Sequence, residues 1–174
     1  MSYPVYKNLT WLDKLSEDEA EVVFLDCCGS HAWARAMIAA RPFRLLEDLF
    51  TAAETIWFSL TPADWLEAFA AHPQIGAKKA APVQKKRAAD WSSGEQAGMA
   101  AAESDVREQL AEINRLYREK FGFIFIVCAT GKSADEMLAI ARARLGNSIQ
   151  TEMQLAAEEQ SKITEIRLTK LLEK

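Results

Sequence analysis

The apolar positions of the chain recur mostly at helical spacing. Across 43–60, Leu45, Leu46, Leu49, Phe50, Ala53, Ile56 and Trp57 fall on the i, i+3, i+4, i+7 stripe of an amphipathic helix. Shorter helical patterns run through Val22, Val23 and Leu25, through Trp33, Met37 and Ile38, and through Trp65, Leu66 and Phe69. Longer ones follow in Val106, Leu110, Ile113 and Tyr117, in Met137 to Leu145, and in Met153, Ala156, Ile163 and Arg167. The polar punctuation agrees with this division. Ser16 with Glu19 and Ser133 with Glu136 have the spacing of capping boxes. Thr61-Pro62 supplies a cap and a proline at the first helical position. Ser30 and Ser104 are expected to cap helices, and Gly29, Gly122 and Gly146 to stop them. Residues 1–15 read as a mixed lead-in and 76–93 as the longest irregular stretch. The helix after it is expected to open at Ser92-Ser93-Gly94-Glu95, where Ser92 and Glu95 match a capping box.

One run breaks the helical pattern. Phe123-Ile124-Phe125-Ile126-Val127-Cys128-Ala129 is continuously apolar and rich in β-branched and aromatic residues. Alone it reads as a buried strand, and periodicity does not separate that from a buried helix. The chain offers no second strand to pair with it. An extended or irregular core segment is therefore expected, whose buried backbone groups need partners that a bound ligand could in part supply. The expected fold is all-α: a single-domain multi-helix bundle over 1–174 with one extended or irregular buried segment near 123–129.

Composition narrows the function more than the fold. The 174 residues are 49% hydrophobic and 26% charged, enough for one real core. A net charge of −4 argues against nucleic acid as a partner. Lys78, Lys79, Lys85, Lys86 and Arg87 form a basic stretch that reads either as a nucleic-acid or nuclear-localisation patch or as a solvated loop; the acidic balance favours the loop. No apolar run has the length of a membrane span, and Met1-Ser2-Tyr3-Pro4 lacks a signal-peptide pattern. Cys27, Cys28 and Cys128 form neither a CxxC pair nor an even disulfide set, which fits a reducing compartment. A cytoplasmic protein with no membrane partner is expected.

Few residues offer chemistry. The two histidines, His31 and His72, are far apart, and no HExxH pattern or ligand-spaced cysteine pair occurs, so no metal site is expected. GxGxxG, P-loop and GxSxG motifs are absent. His72 stands at a helix exit, followed by Pro73 and, after Gln74-Ile75, by Gly76. Proline drives the residue before it out of the α region, so the imidazole is expected on a stiff turn, where it can exchange protons near neutral pH. On spacing alone, HPxxG is more simply a helix stop. Ser92-x-x-Glu95-Gln96 is likewise more simply a cap, although a helix N-terminus also binds anions. Arg167 lies near an inner helix face, where an arginine pairs with a carboxylate of protein or ligand.

Taken in order, these pieces resemble a known family. They are His72-Pro73-Gln74-Ile75-Gly76, Ser92-x-x-Glu95-Gln96-Ala97-Gly98, Asn114-x-x-Tyr117, and Lys120-Phe121-Gly122-Phe123-x-Phe125. Arg144-Leu145-x-Asn147, Glu152, Lys162-Ile163 and Ile166-Arg167-Leu168 follow. The set is similar to the OHCU decarboxylases, which act on 2-oxo-4-hydroxy-4-carboxy-5-ureidoimidazoline in urate breakdown. The resemblance implies an all-helical fold, commonly a homodimer, and conversion of OHCU to (S)-allantoin with loss of carbon dioxide, without metal or organic cofactor. It implies His72 as the catalytic histidine; Glu95 is expected to assist the proton transfer. It places substrate binding on Pro73, on Ser92, Ser93, Gly94, Glu95 and Gln96, on Phe125, Ile126, Val127, Cys128 and Ala129, and on Arg167. The family often has Asp at Gln74 and Pro at Ile124; the latter leaves the backbone path of the apolar run open. Two other classes remain in view: a helical binding or scaffold protein that keeps the fold without the chemistry, and a lyase or isomerase acting on a related ureido or hydantoin acid.

Overall fold

A computed structural model describes residues 7–76 and 86–173. Among these residues there are nine α-helices, one short 3-10 turn and no strand. The helices are α1 Lys7–Lys14, α2 Glu17–Cys27, α3 His31–Ala39, α4 Leu46–Ser59 and α5 Pro62–Ala70. After α6 Lys86–Glu95 and the 3-10 turn Ala97–Met99 come α7 Ser104–Phe121, α8 Ala134–Arg144 and α9 Ile149–Leu172.

Four of the expected caps are formed. Ser16 with Glu19, Thr61 with Asp64 and Ser133 with Glu136 satisfy each other's backbone donors, and Ser30 accepts from the Trp33 amide. Each such cap stabilises its helix by roughly 1 kcal/mol. Gly122 ends α7 in the left-handed region with φ 78°.

Three expectations need correction. The lead-in contains α1, whose Leu9 and Leu12 are buried; two turns are too short to show a stripe. Ser104 is the first residue of α7 rather than its cap, and Glu103 takes the cap position without a side-chain bond. The third correction bears on the site. The helix α6 begins at Lys86, so Ser92 and Glu95 lie in its last turns and form no capping box. Lys86 and Arg87 belong to this helix, where they pair with Asp90 at 2.9 Å and Asp26 at 3.2 Å. Lys78, Lys79 and Lys85 of the basic stretch lie outside the described residues.

The 24-residue α9 packs against α2, α4, α5 and α7, and the bundle is built around it. Its buried stripe mixes Ala156, Ala157, Ile163 and Leu168 with the polar Glu152, Gln160, Thr164 and Arg167. Buried polar groups are costly unless paired, and each of these four has partners. Trp57 adds a long-range tie by donating its indole N–H to the Ala157 carbonyl at 2.8 Å.

Residues 123–129 form neither helix nor strand, as expected, although Ile124 stands where the family often has proline. Phe125 to Ala129 are buried. Side chains of the protein satisfy several of the backbone groups. Arg144 Nη1 donates to the Ile126 carbonyl at 2.6 Å, the Cys128 amide donates to Glu159 Oε2 at 2.7 Å, and Lys132 Nζ donates to the Cys128 carbonyl at 2.7 Å. Arg144 is held in turn by the fully buried Glu152, which also accepts from the Tyr117 hydroxyl and from Asn147 Nδ2. The guanidinium lies over the Phe125 ring, 4.8 Å from its centre. This knot fixes an irregular segment that no ladder of backbone bonds could hold.

Candidate active site

The helix α5 ends at Ala70, and the His72 amide closes a last tight turn onto the Phe69 carbonyl at 3.1 Å. Pro73 stops any continuation, because it has no N–H and restricts the residue before it. The turn is then pinned on both sides. Asn114 Nδ2 donates to the Ile75 carbonyl at 3.0 Å, and the Gly76 amide donates to Gln96 Oε1 at 3.0 Å. Gly76 has φ 81°, a conformation that L side chains rarely adopt. Beneath the turn, Gly29 meets Ala71 so closely that a Cβ on the glycine would sit 2.4 Å from that of Ala71. His72 is thus held at a helix exit by rigid neighbours.

The last turns of α6 face this histidine turn across a small cavity. Ser92, Glu95 and Gln96 are spaced i, i+3 and i+4, so one helix face carries all three. Ser93 and Gly94 point the other way and are exposed, so the structure does not bring them to the cavity. The alternative reading, an anion site at free amides of a helix start, does not apply here either: this is a helix end, and the side chains carry the polarity.

Arg167 stands behind this face. Its Nε donates to Glu95 Oε1 at 2.8 Å, and Nη2 donates to Glu95 Oε2 at 3.0 Å and to Ser92 Oγ at 2.9 Å. Nη1 donates to the Asp26 carbonyl at 3.2 Å. Arg167 and Glu95 are 3% and 8% exposed, so this forked pair works in a medium where charge-assisted bonds are strong. The salt bridge expected for an inward arginine is present, and its carboxylate is the site glutamate.

The cavity is narrow, with a volume of about 20 Å³. His72, Pro73 and Ile75 form one side and Ser92, Glu95 and Gln96 another. Phe125, Ile126, Val127 and Ala129 make an apolar wall, and Ile163 of α9 closes it. Cys128 is buried but does not line the cavity; its backbone is taken by Glu159 and Lys132. Two of the larger clefts have volumes of about 440 and 350 Å³. One runs along α4 and α9; the other reaches His72 and Arg167 from α2 and α5. Neither gathers the imidazole with Ser92 and Glu95, so the small cavity is the better candidate for chemistry.

Burial and the nearby Arg167 charge push the His72 imidazole down to about 3, against the opposing pull of its hydrogen bond to Gln160. The ring is therefore neutral at neutral pH. Burial raises the thiols of Cys27, Cys28 and Cys128, Cys28 to about 12; they are inert packing groups at neutral pH.

Sequence reasoning missed Gln160, whose Oε1 lies 2.6 Å from His72 Nε2. A signal existed: Gln160 falls seven residues before Arg167 and four after Ala156, on the same stripe.

An all-helical bundle that brings one neutral imidazole and one arginine-bound carboxylate to an apolar-walled cavity has the arrangement that acid–base chemistry on a small molecule requires. Comparison with known proteins specifies the family. The family model described as OHCU decarboxylase matches residues 13–169, and the chain belongs to the OHCU decarboxylase family. It is 41% identical to the uric acid degradation bifunctional protein TTL of Arabidopsis thaliana over 91% of this chain, and it spans 48% of that relative's length. It is 30% identical to a 2-oxo-4-hydroxy-4-carboxy-5-ureidoimidazoline decarboxylase of Amia calva, over 80% of this chain and 79% of the relative. A crystal structure of an OHCU decarboxylase in the presence of (S)-allantoin matches with a TM-score of 0.76 at 36% identity, over 92% of this chain and 100% of that one.

Proposed function

We propose that this chain is a carboxy-lyase that converts OHCU to (S)-allantoin in urate catabolism, with His72 as its proton-transfer group. The observation that carries the site assignment is the convergence of a neutral His72 with Ser92, Glu95 and Gln96 on one cavity, in a chain of this family.

The substrate carries a carboxylate on a hydroxylated ring carbon beside a C=N bond. When the carbon–carboxylate bond breaks, its electron pair forms a double bond to the neighbouring carbon. The C=N electrons move to nitrogen, which takes up a proton. The ring is its own electron sink. The resulting enol gives its hydroxyl proton to a base and becomes a carbonyl as the neighbouring carbon accepts a proton on one face. The sum consumes one proton and releases carbon dioxide. A neutral His72 suits the base step and, once protonated, the return step. Glu95 holds the hydroxyl or a ring nitrogen, with its direction set by Arg167. Ser92 and Gln96 engage the ureido and ring oxygens, and the apolar wall keeps water from the reacting carbon. Arg167 acts on the substrate through Ser92 and Glu95, which it holds.

The test is a chirality-resolved assay on freshly generated OHCU, set against its spontaneous decay to racemic allantoin. The wild type is expected to speed the reaction and yield an excess of the S enantiomer. His72→Asn should lose ~10²–10⁴-fold in rate while keeping its helical circular dichroism. Turnover by His72→Asn at the wild-type rate would remove His72 from the mechanism. A homodimer in the cytoplasm belongs to the same proposal; among the described residues no helix is long and apolar enough to cross a membrane.

A further inference from the structure

His72 Nε2 and Gln160 Oε1 are 2.6 Å apart, and either atom could be the acceptor if the amide were free to turn. Its other end decides. Gln160 Nε2 lies 3.1 Å from Thr164 Oγ1. The one hydroxyl proton of Thr164 is directed to the Gln160 carbonyl, a helical turn back, at 2.9 Å. With its proton there, Thr164 Oγ1 accepts from the amide, and the NH₂ end of Gln160 faces it. Reversing the amide would oblige Thr164 to turn its proton from the backbone carbonyl to the amide oxygen, giving up that bond. The oxygen end is thus left for His72, and a carbonyl oxygen only accepts.

We infer that Gln160 and Thr164 are positioning residues that lock His72 as its Nε2–H tautomer, leaving Nδ1 as the basic nitrogen of the site. Gln160 is 0% and Thr164 5% exposed, so water does not compete for the lock. Of the charged groups nearby, Glu95 has both oxygens turned to Arg167, and Arg167 itself repels a second proton from the ring. The inference rests on the proposed role of His72, but it can be tested without turnover.

The experiment is ¹⁵N NMR of histidine-labelled protein. His31→Gln leaves His72 as the one remaining imidazole. A long-range ¹H–¹⁵N correlation spectrum should show a protonated-type shift for Nε2 and an unprotonated-type shift for Nδ1 at neutral pH. The opposite assignment, or averaged shifts, overturns the inference. Two variants then ask whether the lock matters for the reaction. Gln160→Leu should give averaged ring shifts and lower kcat more than it raises KM. Gln160→Glu keeps an acceptor at Nε2 and adds a charge beside the ring. It should retain the tautomer and move the acid limb of the kcat/KM profile upward by about 1–3 pH units. A purely structural role would leave that limb in place. An Nε2–H ring in a protein that does not turn over OHCU sinks the proposed function and keeps the lock. Full wild-type turnover with the other tautomer does the reverse.

Discussion

Both oxygens of Glu95 are engaged by one guanidinium, and that changes what its substitution tests. Breaking a buried pair from one side leaves an uncompensated charge and costs roughly 3–5 kcal/mol. Glu95→Gln should therefore lower both stability and turnover. The double variant Glu95→Leu with Arg167→Met separates the two effects, since apolar replacement of a whole buried pair is often neutral or stabilising. Its urea midpoint should return near the wild-type value while turnover stays depressed ~10²–10⁴-fold; wild-type turnover in this protein would exclude Glu95 from the chemistry. His72 makes a prediction of opposite character. Its folded value of about 3 lies below the ordinary 6.5, so the unfolded chain binds the proton more readily. Its contribution to stability is complete above pH 6.5 and is lost as pH falls toward 3, by up to ~1.4 kcal/mol per unit. Urea melts from pH 6.5 to 5, above the carboxylate range, should show that slope in the wild type and lose it in His72→Asn. At this scale the sequence revealed the histidine, because so few rivals offered chemistry. It hid Gln160 and Thr164, because polar residues on a helix are exposed by default and only the packing of α9 turned these two inward.

At the scale of elements, the caps were legible because a serine or threonine three residues before a carboxylate satisfies local donors whatever the rest of the chain does. The end of α6 was not. Its Ser92 and Glu95 carry the same spacing as a cap, and only the helical turns from Lys86 onward show that they belong to a helix end. The irregularity of 123–129 was legible, since an apolar β-rich run without a partner strand has nowhere to pair. Its support by Arg144, Glu159 and Lys132 was not, because those contacts are tertiary. The turn following this segment is in close contact with Gly98, where an added Cβ would sit 2.1 Å from the Lys132 carbonyl oxygen. Gly98→Ala is expected to destabilise by about 1–3 kcal/mol and to raise KM, since the cavity wall is continuous with that turn. A melt and a KM unchanged from wild type would show that the wall tolerates the shift.

At the scale of the molecule, buried side chains from every helix but α6, which adds the half-buried Trp91, join one hydrophobic cluster, and the site is assembled from residues scattered between His72 and Arg167. The fold class was legible from helical periodicity alone; this assembly was not, since long-range packing leaves no local pattern. If the proposed homodimer is right, light scattering after gel filtration should give twice the 19.5 kDa mass of the chain; a mass of one chain at micromolar concentration would refute it. The polar thread along the inner face of α9 has a further consequence. Glu152, Gln160, Thr164 and Arg167 occupy positions on the element against which four other helices pack. Filling those positions together with their buried partners Arg144 and Glu95 with well-fitted apolar residues would strengthen the bundle, as such replacements of whole pairs often do. Selection for robustness and selection for activity therefore pull the same few residues in opposite directions, and the hardiest version of this protein would be an inert one.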